Sequence, residues 1–352
     1  MSEETGPLDA LKAAAEEGAR KMAEFARGLQ LPDPGHFLAS FWPDEEAESR
    51  RIEAAHPPCG RFLEVDGVRL HWIEQGAEQG GSRPVVFVHG AGGMVEDLLS
   101  SRFAPMVGAR HRLIAIDRPG YGHSDRPRSD GGGTKLGAPA LAGPEAQARL
   151  LHRALAQLGI ERPILIGHSW GGALVLAYAL EFPADVAGVL VLAGWSHPAR
   201  GATLWFAGLP AAPVIGNLMS RALAPALASG LAQEIIAQLF APEPVPAAFA
   251  RFPVDMSLRP SQLRANAEDL AALNPDVARL RRNYRQIAVP VEILTGGADK
   301  IVAATAHAFR LARAVPDAGF QVLPGVGHML HHTQPEAVCA ALDRLVARLP
   351  DK

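Results

Sequence analysis

The stretch Ile164-Leu165-Ile166-Gly167-His168-Ser169-Trp170-Gly171-Gly172 decides the fold: an apolar run enters Gly-x-Ser-x-Gly with no spacer, and Ala173-Leu174-Val175-Leu176-Ala177-Tyr178 then continues as a helical pattern. A strand that turns so abruptly into a helix makes a nucleophile elbow, in which the serine takes a strained backbone position and its hydroxyl projects above the sheet. Gly167 and Gly171 are expected where a Cβ would collide with the neighbouring strand or helix. A serine at a helix N-terminus also has free N–H groups and positive dipole beside it, which suits an oxyanion. The competing reading is an ordinary strand-loop-helix junction with a surface serine, so the flanking sequence has to choose.

Upstream, Arg61-Phe62-Leu63-Glu64-Val65 and Val68-Arg69-Leu70-His71-Trp72-Ile73 flank Asp66-Gly67, the signature of a tight hairpin. The pattern then changes. Pro84 to Val88, Leu113 to Ile116, Ile164 to Ile166, Val189 to Leu192, Val291 to Leu294 and Phe320 to Leu323 are short, nearly all-apolar runs separated by helical stretches. Runs apolar on both faces predict a mostly parallel sheet with helices on each side, and in such sheets ligands bind beyond the carboxyl ends of the strands. The strand rhythm stops between Leu192 and Val289. That segment is apolar and helical in pattern, too long for a loop, and is expected to form a helical cap over residues 195–288. Residues 61–194 and 289–352 would form the core.

Residues 1–60 read as an extension. Leu8, Leu11, Ala15, Gly18, Met22, Phe25 and Leu29 make one apolar stripe of an amphipathic helix, followed by a proline-containing, acidic connector with room for one short helix. The stripe is expected to dock on the body or cap a groove, with a dimer contact or a membrane-surface role as alternatives, so monomer and homodimer both stay open. The formal net charge of −3 gives no ground for a nucleic-acid partner. The acidic start and the absence of a long unbroken apolar run predict no secretory signal and no stable membrane insertion, and hence a cytoplasmic protein. The two cysteines, Cys59 and Cys339, are expected to be free thiols, and no metal-like spacing is present.

A serine hydroxyl needs a base, and the base an orienting acid. Downstream, the run ending at Leu294 leads into Thr295-Gly296-Gly297-Ala298-Asp299, and the run ending at Leu323 leads into Pro324-Gly325-Val326-Gly327-His328. Asp299 and His328 therefore sit at strand carboxyl ends in the order Ser, Asp, His. Asp299 also reads as the N-cap of a helix over Ala303 to Ala314, and His307, His331 and His332 compete for the base role; the glycine-rich turn favours His328. The oxyanion hole needs two backbone donors. Trp170 supplies one, and His89-Gly90-Ala91-Gly92-Gly93-Met94 supplies the other, from Ala91 with Gly92 as the alternative.

From about Arg61 onward the chain resembles the α/β-hydrolase superfamily, in the branch with cap-bearing esterases, dehalogenases, epoxide hydrolases and carbon–carbon bond hydrolases. The resemblance rests on His89-Gly90-Ala91-Gly92-Gly93, the Asp117 to Asp125 stretch, Gly167-His168-Ser169-Trp170-Gly171-Gly172, Asp299 and Gly327-His328. It implies an eight-stranded sheet whose second strand is antiparallel, a helical cap inserted after the sixth strand, and a structural turn at Asp117 to Asp125. It also implies Ser169 as nucleophile, Asp299 as acid, His328 as base and the Ala91 and Trp170 amides as oxyanion hole. Dehalogenases and epoxide hydrolases of this branch carry aspartate as nucleophile, so a serine points to acyl transfer. The expected activity is hydrolysis of a small-to-medium, largely apolar carboxylic ester through an acyl-enzyme, with no cofactor or metal and a small-molecule substrate as partner. Carbon–carbon bond hydrolase, lactonase and cofactor-free haloperoxidase chemistry use the same triad, and a ligand-binding protein without turnover is the non-enzymatic alternative. Gly92, Met94, Trp195, Trp205 and Phe206 are candidate pocket-lining residues.

Overall fold

The computed structural model describes residues 45–76, 82–127, 141–199 and 226–350. The apolar stripe from Leu8 to Leu29, Trp205 and Phe206 lie outside them. Eight strands form one sheet: β1 (Arg61–Val65), β2 (Val68–Gln75), β3 (Val85–Val88), β4 (Leu113–Ile116), β5 (Ile164–His168), β6 (Gly188–Leu192), β7 (Val291–Gly296) and β8 (Ala318–Leu323). Their spatial order is β1-β2-β4-β3-β5-β6-β7-β8. β2 runs antiparallel to β1 and β4, and every other pairing is parallel. The β1–β2 hairpin closes on Asp66 at φ +53° and Gly67 at φ +76°, the two positive φ values a two-residue hairpin loop of this twist demands.

Alternation along each strand sends side chains to opposite faces, and both faces are dry in the central strands β3 to β7, whereas β1 is largely exposed and β8 half-buried. Val86, Val88, Ile114, Ile116, Leu165, Val189, Val191, Val291 and Ile293 belong to one core. Their strand neighbours Val85, Phe87, Leu113, Ala115, Ile164, Ile166, Leu190, Leu192 and Leu294 belong to the other. The helices of the body are α1 (Glu45–Ala55), α2 (Val95–Leu99), α3 (Phe103–Gly108), α4 (Pro144–Gln157) and α5 (Trp170–Glu181) before the insertion. α4 and α5 cover the first face through Leu151, Leu155, Leu174 and Val175, and α3 covers the second through Phe103 and Val107.

The chain between β6 and β7 carries α6 (Ala226–Phe240), α7 (Val254–Ser257) and α8 (Pro260–Leu280), a helical cap inserted after the sixth strand. α1 packs against α7 and α8. Glu53 pairs with Arg259 at 3.1 Å, His56 Nε2 lies 2.7 Å from Asp255 Oδ2, and the Ser49 hydroxyl accepts the Ser261 N–H. After β7 come α9 (Ala308–Ala314), then β8, α10 (Leu330–Thr333) and α11 (Pro335–Val346), whose Val338, Leu342 and Leu345 complete the second core. The helix expected from Ala303 starts instead at Ala308. Asp299 Oδ1 accepts the N–H groups of Ile301 and Val302, and the chain makes a turn at Ala303 before it can become helical.

Among the described residues no helix is long and apolar enough to cross a membrane. Cys59 is exposed, Cys339 is buried, and both are free.

Candidate active site

Ser169 has φ +52° and ψ −117°, an uncommon conformation for a residue with a side chain, at the junction of β5 and α5. Backbone crowding explains why the strain is tolerated only with glycine on both sides. A Cβ on Gly167 would stand 2.4 Å from the Gly171 carbonyl oxygen, and one on Gly171 would stand 2.4 Å from the Val88 oxygen. One on Gly90 would come within 2.9 Å of the Ser169 Cβ, so the loop after β3 passes directly over the elbow. The Ser169 N–H donates to the Leu192 carbonyl, and the Ser169 carbonyl accepts from Gly172 and Trp195. These bonds tie the elbow to β6 and offset part of the strain.

Asp299 and His328 arrive on the loops after β7 and β8. His328 Nδ1 donates to Asp299 Oδ2 at 2.8 Å, and both residues are buried. The other Asp299 oxygen holds the Ile301 and Val302 amides, so the cap-like and acid-like readings of this aspartate hold together, one on each oxygen. Ser169 lies at the same end of the sheet. Its hydroxyl makes no hydrogen bond with a described residue, in keeping with sites whose nucleophile–base contact tightens only when substrate arrives.

The three competing imidazoles have other partners. His307 Nδ1 accepts the Ser196 N–H, and burial pushes this imidazole down to about 4. His331 Nε2 and His332 Nε2 both donate to Asp97, at 3.1 and 2.8 Å. Burial alone would raise the Asp97 carboxyl, but the two imidazoles more than offset that and hold it well below the carboxylate range. Against this cluster lies His168, whose Nε2–H donates to the His328 carbonyl at 3.1 Å and whose ring stacks edge-on to His331. Burial, then the neighbouring His331, keeps His168 well below its usual range and therefore neutral. The residue before the serine thus anchors the backbone of the base. Asp97, His168 and His331 offer ligand atoms within 4.8 Å of one another and are the described set able to hold a metal; its present bonds make it a hydrogen-bonded brace.

Ala91 is exposed and Trp170 fully buried, and neither backbone N–H has a partner among the described residues. The Gly92 N–H, the alternative donor, is occupied: it donates to Asn266 Oδ1 at 3.1 Å. The Trp170 side chain is fully buried, with the Arg118 guanidinium 4.0 Å over its ring and its indole N–H on the Asp269 carbonyl. Met94 is wholly buried ahead of α2, and Trp195 is nearly so, edge-on to His307.

The Asp117 to Asp125 stretch fastens the loops. Asp117 accepts from His71 Nδ1, Val95 N–H and His123 N–H. Arg118 pairs with Asp269 of α8, reaches the Gly90 carbonyl with Nη2, and its own N–H donates to His89 Nε2. Asp269 also takes Arg126, Gln147 and the Tyr121 hydroxyl, all without exposure of its own. This buried ionic junction between body and cap was not apparent from the sequence; its one signal is an arginine within an otherwise buried turn.

A profile of the alpha/beta hydrolase family matches residues 85–341. The chain is 31% identical over 341 residues, 96% of its own length and 80% of the relative's, to the dihydrolipoyllysine-residue acetyltransferase component of the acetoin cleaving system of Pseudomonas putida. It is 32% identical over 177 residues, 47% of its length and 56% of the relative's, to a 2-hydroxy-6-oxononadienedioate/2-hydroxy-6-oxononatrienedioate hydrolase of Paraburkholderia xenovorans. Among solved structures, an esterase from Rhodococcus sp. superposes with a TM-score of 0.63 at 21% identity, covering 82% of this chain and 98% of the esterase.

Proposed function

We propose that this chain, which belongs to the alpha/beta hydrolase family, is a serine hydrolase that cleaves a small-to-medium, largely apolar carboxylic ester through an acyl-enzyme. The observation that carries the reading is the strained Ser169 at the β5–α5 junction together with the Asp299–His328 pair at the same sheet end, tied to the elbow through His168. In the reaction, Ser169 Oγ attacks the ester carbonyl carbon while His328 Nε2 takes the hydroxyl proton, and the resulting oxyanion lies against the Ala91 and Trp170 amides. Asp299 holds His328 Nδ1–H and so fixes the tautomer that leaves Nε2 free to accept. Collapse expels the alkoxide, which leaves with the proton from His328; a water activated by the same imidazole then hydrolyses the acyl-enzyme. The cap over residues 195–288 selects the acyl and alcohol groups.

A second reading keeps the acyl-enzyme and changes the acceptor. The Pseudomonas putida relative is named as an acetyltransferase acting on dihydrolipoyllysine and matches nearly the whole chain, which favours a thiol in place of water. Burst kinetics with p-nitrophenyl esters of graded chain length, run with and without dihydrolipoamide, test both. A burst followed by steady hydrolysis supports the ester reading, and thiol-dependent turnover with accumulation of the thioester supports the second. Equal hydrolysis by the parent and Ser169→Ala removes both.

A further inference from the structure

The loop expected to donate the oxyanion hydrogen bond is not held by the body alone. At Gly92, φ is +70°, and both of its backbone polar groups point into the cap. Its N–H donates to Asn266 Oδ1 at 3.1 Å; its carbonyl accepts the Ser257 hydroxyl at 2.6 Å and Gln262 Nε2 at 3.3 Å. Gln262 Nε2 also reaches the Gly93 carbonyl. The three side chains are themselves fixed. Asn266 Oδ1 accepts the Tyr121 hydroxyl, and Gln262 Oε1, in a side chain with no exposure, accepts the Gly122 N–H and Arg259 Nη1. On the body side, the Gly90 carbonyl is taken by Arg118 Nη2, His89 Nδ1 and Gly93 N–H. Among the described residues, the N–H groups of Gly92 and Gly93 are thus committed, while those of the buried Gly90 and the exposed Ala91 have no partner.

We propose that Ser257, Gln262 and Asn266 are positioning residues of the oxyanion hole: by gripping both peptides of Gly92 from the cap, they aim the Ala91 N–H at the oxyanion formed on Ser169. This deepens the serine-hydrolase reading and rests on it. Two consequences follow from the geometry. Gly92 cannot itself serve as donor while Asn266 holds its N–H. Lifting the α7–α8 part of the cap from the body would break these bonds to Gly92 and Gly93. Donors work because they stand ready before charge develops, and a misplacement of about 1 Å costs on the order of 10²-fold.

The test uses the full chain carrying Asn266→Ala, Ser257→Ala and Ser257→Thr, the last retaining the hydroxyl that reaches the Gly92 carbonyl. Two rates are compared: steady-state hydrolysis of a p-nitrophenyl ester, and covalent labelling of Ser169 by a p-nitrophenyl phosphonate, whose phosphoryl oxygen occupies the hole without need of the natural substrate. The Ala variants are expected to lose about 10- to 100-fold in both kcat and labelling rate, with KM within about twofold. Ser257→Thr should recover most of the loss. Labelling of both Ala variants at the parent rate overturns the proposal. So does a loss that appears as raised KM with unchanged kcat, or one that vanishes when the assay is moved well below a lowered melting temperature. A parent protein that is not labelled at all overturns the serine-hydrolase reading itself, and that result is distinct from a labelled parent with equally fast variants.

Discussion

His89 provides the sharpest pH prediction, because its surroundings allow only one neutral tautomer. Its Nδ1–H donates to the Gly90 carbonyl at 2.9 Å, and its Nε2 accepts the Arg118 N–H at 3.0 Å. Protonation would add a second donor facing a donor, beside a guanidinium. Burial first, and then Arg118, push the imidazole from 6.5 down to about 4. Since the folded state binds this proton less readily than the unfolded chain, stability is full above pH 6.5 and is lost as pH falls from 6.5 towards 4. At roughly 1.36 kcal/mol per pH unit, that interval is worth about 3 kcal/mol. His197 and His307, also pushed by burial to about 4, add losses of the same sign. The perturbation is His89→Asn, which cannot titrate. Urea unfolding at intervals from pH 8 to 4.5 gives stability against pH for each protein. The variant should be the less stable at pH 8, and the gap should narrow by about 2–3 kcal/mol towards pH 4.5. Two parallel curves would show instead that His89 titrates alike in the folded and unfolded states.

Three further perturbations address the frame of the site. Gly171→Ala drives a Cβ to 2.4 Å from the Val88 carbonyl oxygen, so the strand leading to the loop over residues 89–94 must shift. Thermal melting should show a loss of about 1–3 kcal/mol or more, and esterase activity should fall further than stability explains. Asp269→Ala leaves Arg118 and Arg126 buried without their shared carboxylate; chemical denaturation should show a loss of about 3–5 kcal/mol. Glu96 is raised by burial, and then by Asp117, from 4.5 to about 7. The folded state therefore holds a proton that the unfolded chain has released, and stability declines as pH rises from 4.5 to 7. Glu96→Gln should remove that decline and be relatively more stable at pH 8 than at pH 4.5, by on the order of 1–3 kcal/mol in urea titrations.

The central strands were legible because each is a short apolar run, and burial on both faces leaves no other place for such runs; the β1–β2 hairpin was legible from its Asp66-Gly67 turn. The elbow was legible because its glycines fall at the fixed spacing such a turn needs, Gly167 facing the Gly171 backbone and Gly171 facing Val88 on the neighbouring strand. The Asp299–His328 pair was visible as two loops leaving adjacent strand ends. What escaped were interactions whose partners are far apart in sequence. His331 and His332 read as rivals for the base because their partner Asp97 lies more than two hundred residues earlier. Arg118 could not be matched to Asp269, nor Gly92 to Asn266, because only the fold of the cap brings them together. The start of α9 was misread for a local reason: propensity favours a helix from Ala303, while the bonds to Asp299 Oδ1 keep the preceding residues in a turn.

A covalent intermediate on Ser169 is open to chemical capture. Incubation with a p-nitrophenyl phosphonate, followed by intact mass and peptide mapping, tests it most directly. The expected result is one phosphonyl group per chain, located on Ser169, with loss of ester hydrolysis in step with labelling and at least about 10³-fold lower turnover in Ser169→Ala. A label on any other residue, or undiminished hydrolysis by the fully labelled protein, would contradict it.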